Sequence, residues 1–164
     1  INDAYQQNIL LTYGQFSYYS EDEKLNNTIG YCEPRTFEDI YGGRLRSAGW
    51  VFSHLRTFKY LLFKNIDKFD MIDPKTNEFY RVTWDMSFMF PMIEMSNGRI
   101  QMIEQPSLYI YNAANQLNDF KLRQTEQEEA EKHIRALQPY KPLKDTKYFT
   151  NRLSNSKLKL MLKN

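Results

Sequence analysis

The sequence is poor in the residues that build many of the familiar chemical sites. It contains one cysteine, Cys32, so an intramolecular disulfide framework and any multi-cysteine zinc site are excluded. Its two histidines, His54 and His133, are too few for a histidine metal cage and make a catalytic triad hard to assemble. There is no glycine-rich phosphate loop, no Gly-x-Ser-x-Gly elbow and no His-Glu-x-x-His. The longest apolar run, Phe88 to Ile93, is six residues with a proline inside, far short of a membrane span. No secretory leader is visible, and the lone thiol fits a reducing compartment, so a cytoplasmic location is the expectation.

What is present is enough to fold. The 164 residues are 41% hydrophobic and 15% aromatic, and the 26% that are charged nearly cancel to +2. That balance excludes intrinsic disorder and gives no sign of a dedicated or specific nucleic-acid binder. The charge is unevenly spread: residues 1–140 hold 15 Lys and Arg against 19 Asp and Glu, whereas residues 141–164 hold 7 against 1. The expected division is a folded unit over 1–143 and a basic tail over 144–164, disordered or seated by its charge on a peripheral membrane surface. The chain opens at Ile1 in ordinary sequence, which reads as a fragment or a processed product.

Periodicity supplies the expected elements. Ile9 to Tyr13 reads as a buried strand closed by Gly14, and Ser17 to Pro34 as a long polar loop. Phe37 to Tyr41 is a short helix stopped by Gly42-Gly43, and Trp50-Val51-Phe52 is strand-like. Leu55, Phe58, Leu62, Ile66 and Phe69 fall at helical steps, predicting a helix from Ser53. Asp73 to Asn77 has turn chemistry. Met86 to Met95 is a buried helix interrupted or kinked near Pro91. Asn97-Gly98 signals a hairpin-type turn before strands at Ile100–Ile103 and Leu108–Tyr111. A last helix runs from about Leu117 to Leu137, with Glu128/Lys132 and Glu131/Arg135 as i,i+4 pairs, and Pro139 ends it.

Two stretches carry more than core patterning. Ser53-His54-Leu55-Arg56 crowds a serine, a histidine and an arginine at the start of the predicted helix. It is either an ordinary cap with a surface ion pair or an anion site. Asp85 is the only acid between Tyr80 and Ile93. It reads either as a plain N-cap or as a carboxylate kept ionised by the helix dipole at a pocket floor, ready to accept a proton.

Three strings give these stretches a context: Arg46-x-x-x-Trp50-x-x-Ser53-His54-Leu55-Arg56-Thr57-Phe58; Trp84-Asp85-Met86-Ser87-Phe88-Met89-Phe90-Pro91-Met92-Ile93-Glu94-Met95; and Leu108-Tyr109-Ile110-Tyr111-Asn112 with Asn115-Gln116-Leu117-Asn118-Asp119. In order and spacing they resemble the second, acceptor-side half of a family 2 glycosyltransferase of the GT-A fold. The resemblance covers roughly residues 9 to 143. It implies an α/β fold, the C-terminal part of a Rossmann-like domain, with a mixed sheet and flanking helices. The implied activity is transfer of a sugar from a nucleotide-sugar donor to a carbohydrate or other hydroxyl acceptor, with inversion. Asp85 matches the catalytic base, Trp84 offers a flat face to a sugar, and Arg46, His54, Arg56, Asp119 and Lys121 are the implied substrate contacts.

The resemblance also implies Mg²⁺ or Mn²⁺ on an Asp-x-Asp motif in the first half of the fold, and no convincing motif of that kind is present. Asp3 stands alone, and Asp70 and Asp73 belong to a turn. Similar sequences carry Asn-Asp-His-Lys where this one has Asn118-Asp119-Phe120-Lys121, and phenylalanine ligates nothing. The nucleotide-binding half is expected to occupy about ninety further residues in front, leaving the isolated chain inactive. The alternative expectation is a non-catalytic carbohydrate- or protein-binding module that uses the Tyr13–Tyr19 aromatics.

Overall fold

In a computed structural model, residues 1–144 are described. Element order is α1 (Asn2–Gln6), β1 (Leu11–Gly14), β2 (Phe16–Tyr19), α2 (Phe37–Tyr41), β3 (Thr57–Phe58), α3 (Tyr60–Lys64), a 3-10 turn (Lys68–Met71), β4 (Ile72–Asp73), β5 (Glu78–Phe79), α4 (Trp84–Met95), β6 (Ile100–Ile103), β7 (Tyr109–Asn112), α5 (Asp119–Leu122) and α6 (Gln124–Ala136). The strands form a mixed three-stranded sheet β3-β1-β6, a parallel pair β2-β7 and the small hairpin β4-β5. This is a mixed α/β arrangement, a small mixed sheet with flanking helices.

The centre is α4. Nine of its twelve residues are buried, so it is apolar around nearly its whole circumference, the pattern of a helix enclosed on all sides. Leu10, Leu11 and Tyr13 from the first strand region, Val51 and Phe52, Leu62 of α3 and Ile134 of α6 complete the core with it. Trp50 stands edge-on to both Phe52 and Phe90, at 5.3 and 5.2 Å between ring centres. Val51 and Phe52 are buried and Trp50 partly so, but the segment expected to be strand-like lacks a ladder partner and is not a strand.

Several expectations are corrected. The helix expected from Ser53 does not exist as one element. Thr57 and Phe58 pair antiparallel with Thr12 and Leu11, and the Thr57 hydroxyl bonds both Tyr5 and Thr12 at 2.6 Å, so tertiary pairing overrides a helical spacing that local sequence alone suggests. Helix begins only at Tyr60. Ser53 consequently caps nothing, and no helix N-terminus lies at Ser53–Arg56 to supply backbone N–H groups to an anion. The helix Trp84–Met95 runs through Pro91 without interruption, and its N-cap is Thr83, in the left-handed conformation, not Asp85. Asn97-Gly98 does turn the chain, with positive φ at both residues, but it joins α4 to β6. Strands β6 and β7 do not pair with each other: β6 runs parallel to β1, and β7 parallel to β2. The last helix is split at Arg123 into α5 and α6, and of its predicted pairs Glu131 and Arg135 meet at 2.7 Å. Within the expected polar loop, Phe16–Tyr19 is strand β2. Residues 145–164 of the expected basic tail lie outside the described residues.

One buried ion pair ties the late elements to α4. Arg46 grips the Glu94 carboxylate with two N–H groups at 2.6 and 2.8 Å and donates a third bond to the Ile134 carbonyl at 2.7 Å. The Tyr140 backbone N–H also donates to Glu94, at 2.9 Å, and Arg135 returns two bonds to the Arg46 and Ala48 carbonyls. Two charges this deep are tolerable because the polar atoms around them are bonded as well.

Candidate functional site

The site grows from the C-terminal ends of β1 and β2. Residues alternate along a strand, so Phe16 and Tyr18 share one face of β2. Their register partners on β7, Tyr109 and Tyr111, share the same face. The rings of Phe16, Tyr18 and Tyr111 meet edge-on at 5.1 to 6.1 Å. Tyr109 lies under the His54 imidazole, 4.6 Å away and tilted 30°.

Gly14 at the end of β1 makes room for the segment that carries His54. A methyl group there would lie 3.2 Å from the Leu55 nitrogen and 3.3 Å from the His54 oxygen. The Gly14 N–H donates to the Ser53 carbonyl, which fixes the segment against the strand. Cys32 is spent locally: its thiol is shared between the Gly14 and Val51 carbonyls at 3.1 Å, and burial pushes it above its ordinary pKa.

These walls enclose a cavity of about 620 Å³. Its aromatic lining is Phe16, Tyr18, Tyr31, Trp50 and Tyr111, and its charged or titratable lining is His54, Arg56, Asp85 and Lys121. Ser20, Ser53 and Asn118 add neutral polar groups. A largely apolar concavity with a few convergent polar groups is the usual form of a small-molecule site.

At its floor, Arg56 is held in three ways. Its Nε–H donates to the Phe52 carbonyl at 2.7 Å, its Nη1 donates to Asp85 Oδ2 at 2.6 Å, and its guanidinium lies 5.6 Å from the Trp50 ring centre. The arginine side chain is only 9% exposed, whereas that of Asp85 is 25% exposed. Asp85 occupies the first turn of α4, where the exposed N–H groups of the helix end favour a carboxylate. Burial, then the neighbouring Arg56 charge, pushes the His54 imidazole below its ordinary pKa, so it enters the site as a neutral group. Elsewhere in the lining, Lys121 donates to the Ala113 carbonyl at 2.9 Å and Asn118 donates to the Tyr111 hydroxyl.

The sequence-selected residues therefore divide. Asp85, His54, Arg56 and Lys121 come together around one cavity, although they arise from three separate parts of the chain. Arg46 is not at the cavity: its guanidinium is committed to Glu94 and the Ile134 carbonyl. Trp84 precedes Asp85 by one helical step, roughly 100° around the axis, and points to another face, 55% exposed. Asp119 lies in the first turn of α5, 3.7 Å from Arg123, outside the cavity lining. Sequence reading missed Tyr31 and Tyr111 as lining residues. The period-two aromatics Phe16/Tyr18 and Tyr109/Tyr111 were the signal available for a shared wall.

Mg²⁺ or Mn²⁺ does not fit the donors found here. Among the described residues no group of three or more His, Cys, Asp or Glu can hold a metal ion. The cavity's one carboxylate is already paired with a guanidinium, and a second cation, Lys121, also lines the cavity. Among the described residues no helix is long and apolar enough to cross a membrane. Comparison with protein-family models, with curated proteins and with solved structures finds no match to this chain.

Proposed function

We propose that the cavity is the acceptor and catalytic-base site of a glycosyltransferase of the GT-A type, one that moves a sugar from a nucleotide-sugar donor to a hydroxyl acceptor with inversion. The observation that carries this reading is the carboxylate of Asp85, fixed through one oxygen by Arg56 at the floor of an aromatic-walled cavity. The same cavity gathers residues from all three strings that resemble the family.

The chemistry follows from that arrangement. Arg56 occupies Asp85 Oδ2, which leaves Oδ1 to accept a hydrogen bond from the acceptor hydroxyl. As the hydroxyl oxygen forms its bond to the anomeric carbon, its proton passes to Asp85. The bond from that carbon to the diphosphate oxygen breaks, and the nucleoside diphosphate leaves with the electron pair. Attack opposite the leaving group gives inversion. Tyr18, Trp50 and Tyr111 supply flat faces against which a pyranose ring stacks. Lys121 supplies a positive charge for the departing diphosphate, and neutral His54 supplies a hydrogen bond.

Screening nucleotide-sugar donors with the natural full-length protein tests this. Release of nucleoside diphosphate that depends on an added hydroxyl acceptor is the expected result. Binding of glycans with no transfer from any donor would instead indicate a carbohydrate-binding module and overturn the proposal.

A further inference from the structure

Tyr18, Trp50 and Tyr111 account for one sugar ring in the cavity, and Tyr31 is left over. It lines the same cavity yet is 65% exposed, so it stands at the rim and belongs to no core.

An exposed tyrosine is ordinarily free to turn, but this one is held at both ends. Gly30, directly before it, donates its N–H to the Phe16 carbonyl at 2.9 Å, and a methyl group there would fall 1.9 Å from the Phe16 ring, so the backbone lies flat against that ring. At the far end the Tyr31 hydroxyl donates to the Glu33 carboxylate. The other oxygen of Glu33 lies 3.3 Å from Arg35 Nη1, and Arg35 Nη2 donates to the Gly49 carbonyl at 3.1 Å. Gly49 directly precedes Trp50. The buried Tyr13 hydroxyl fastens the same turn, donating to the Glu33 carbonyl and accepting from the Arg35 N–H. A chain of bonds therefore ties the rim tyrosine to the segment that carries the floor tryptophan.

Ordering an exposed ring costs side-chain entropy and buries nothing in return. The return comes on binding, because a ring fixed beforehand need not be ordered by its ligand. The polar groups beside it select the ligand. The Glu33 side chain is 43% exposed, and Ser20 lines the cavity on the same segment. An apolar ligand would desolvate that carboxylate without bonding it, whereas a sugar sets its C–H face on the ring and its hydroxyls on the oxygens.

We propose that Tyr31 is the platform of a second carbohydrate subsite, so that the acceptor is an oligosaccharide whose terminal ring reaches Asp85 and whose next ring stacks on Tyr31. The inference rests on the proposed function for the first ring.

The test is a ligand-detected NMR titration of the natural full-length protein with methyl glycosides of glucose, galactose, mannose and N-acetylglucosamine, each paired with a disaccharide that carries the same sugar at its non-reducing end. At least one disaccharide is expected to bind about tenfold more tightly than its monosaccharide partner. Tyr31→Ala, checked for folding by circular dichroism, removes that gain, and Tyr31→Phe, which keeps the ring face, retains part of it. No gain in any pair overturns the proposal. So does a gain that survives Tyr31→Ala, or a loss in that variant that falls equally on both members of a pair, because the ring then serves the first subsite or the fold. The two readings fail separately. A Tyr31-dependent gain without transfer from any donor sustains the second subsite and removes the transferase. Transfer to both members of each pair with equal kcat/KM, unchanged in Tyr31→Ala, sustains the transferase and removes the second subsite.

Discussion

Arg56 and Asp85 meet at 2.6 Å across the floor of the cavity, and the arginine is anchored from behind by the Phe52 carbonyl. The arginine therefore positions the carboxylate through Nη1 while still lining the cavity. Arg56→Ala leaves Asp85 unpaired in a partly buried site. A loss of about 2 kcal/mol of stability is expected in urea unfolding, below the range for a fully buried pair because Asp85 keeps some solvent. On the proposed function, Arg56→Lys restores much of the stability but not the geometry, so kcat falls while the acceptor KM changes little.

The Arg46–Glu94 pair separates structural charge from site charge. Its atoms are buried and joined to α6 and Tyr140, and none lines the cavity. Glu94→Ala strands a buried guanidinium and is expected to cost about 3 kcal/mol or more in chemical denaturation. Ligand affinity per folded molecule, measured by calorimetry below the unfolding transition, should be unchanged. A specific loss of affinity would return Arg46 to the site.

His54 gives a pH signature. Its folded pKa lies below the ordinary value because of burial and then Arg56. The unfolded chain thus binds the proton first on acidification. The stability associated with neutral His54 is fully present above about pH 6.5 and is lost as pH falls through the lowered folded value. Thermal unfolding followed from pH 7.5 down to 5 should show a steeper decline in the wild type than in His54→Gln.

Lys121 is exposed, and it donates to a backbone carbonyl. Lys121→Ala should leave stability within about 0.5 kcal/mol of wild type. On the proposed function it weakens nucleoside diphosphate binding about tenfold, the scale of one charged hydrogen bond, as read by titration calorimetry.

Local chemistry made α2, α4, the Asp73–Asn77 turn and strands β1 and β6 legible in the sequence, because apolar runs, the Gly42-Gly43 stop and turn residues act over a few positions. The segment 53–69 was misread for a physical reason. Leu62 and Ile66 are buried at helical spacing, but Thr57 and Phe58 are claimed by a strand more than forty residues earlier, and no local pattern records that pairing. The same limit explains β6 and β7, whose parallel partners lie far back in the chain. In the candidate site, Asp85 stood out as the one acid in an apolar run and Arg56 as part of the Ser53–Arg56 polar cluster, and the structure joins them. Arg46 was singled out only by the resemblance, and it belongs to a buried structural pair. Tyr31 and Tyr111 reach the cavity through chain folding rather than through a local motif.

The central claim is that Asp85 removes the acceptor proton. The most direct measurement compares sugar transfer by the natural full-length protein with that of Asp85→Asn, which keeps the shape and a hydrogen bond to Arg56 but not the basicity. The account predicts that kcat falls about a hundred- to ten-thousand-fold while donor binding is nearly intact. Turnover by Asp85→Asn within a few-fold of wild type would contradict it.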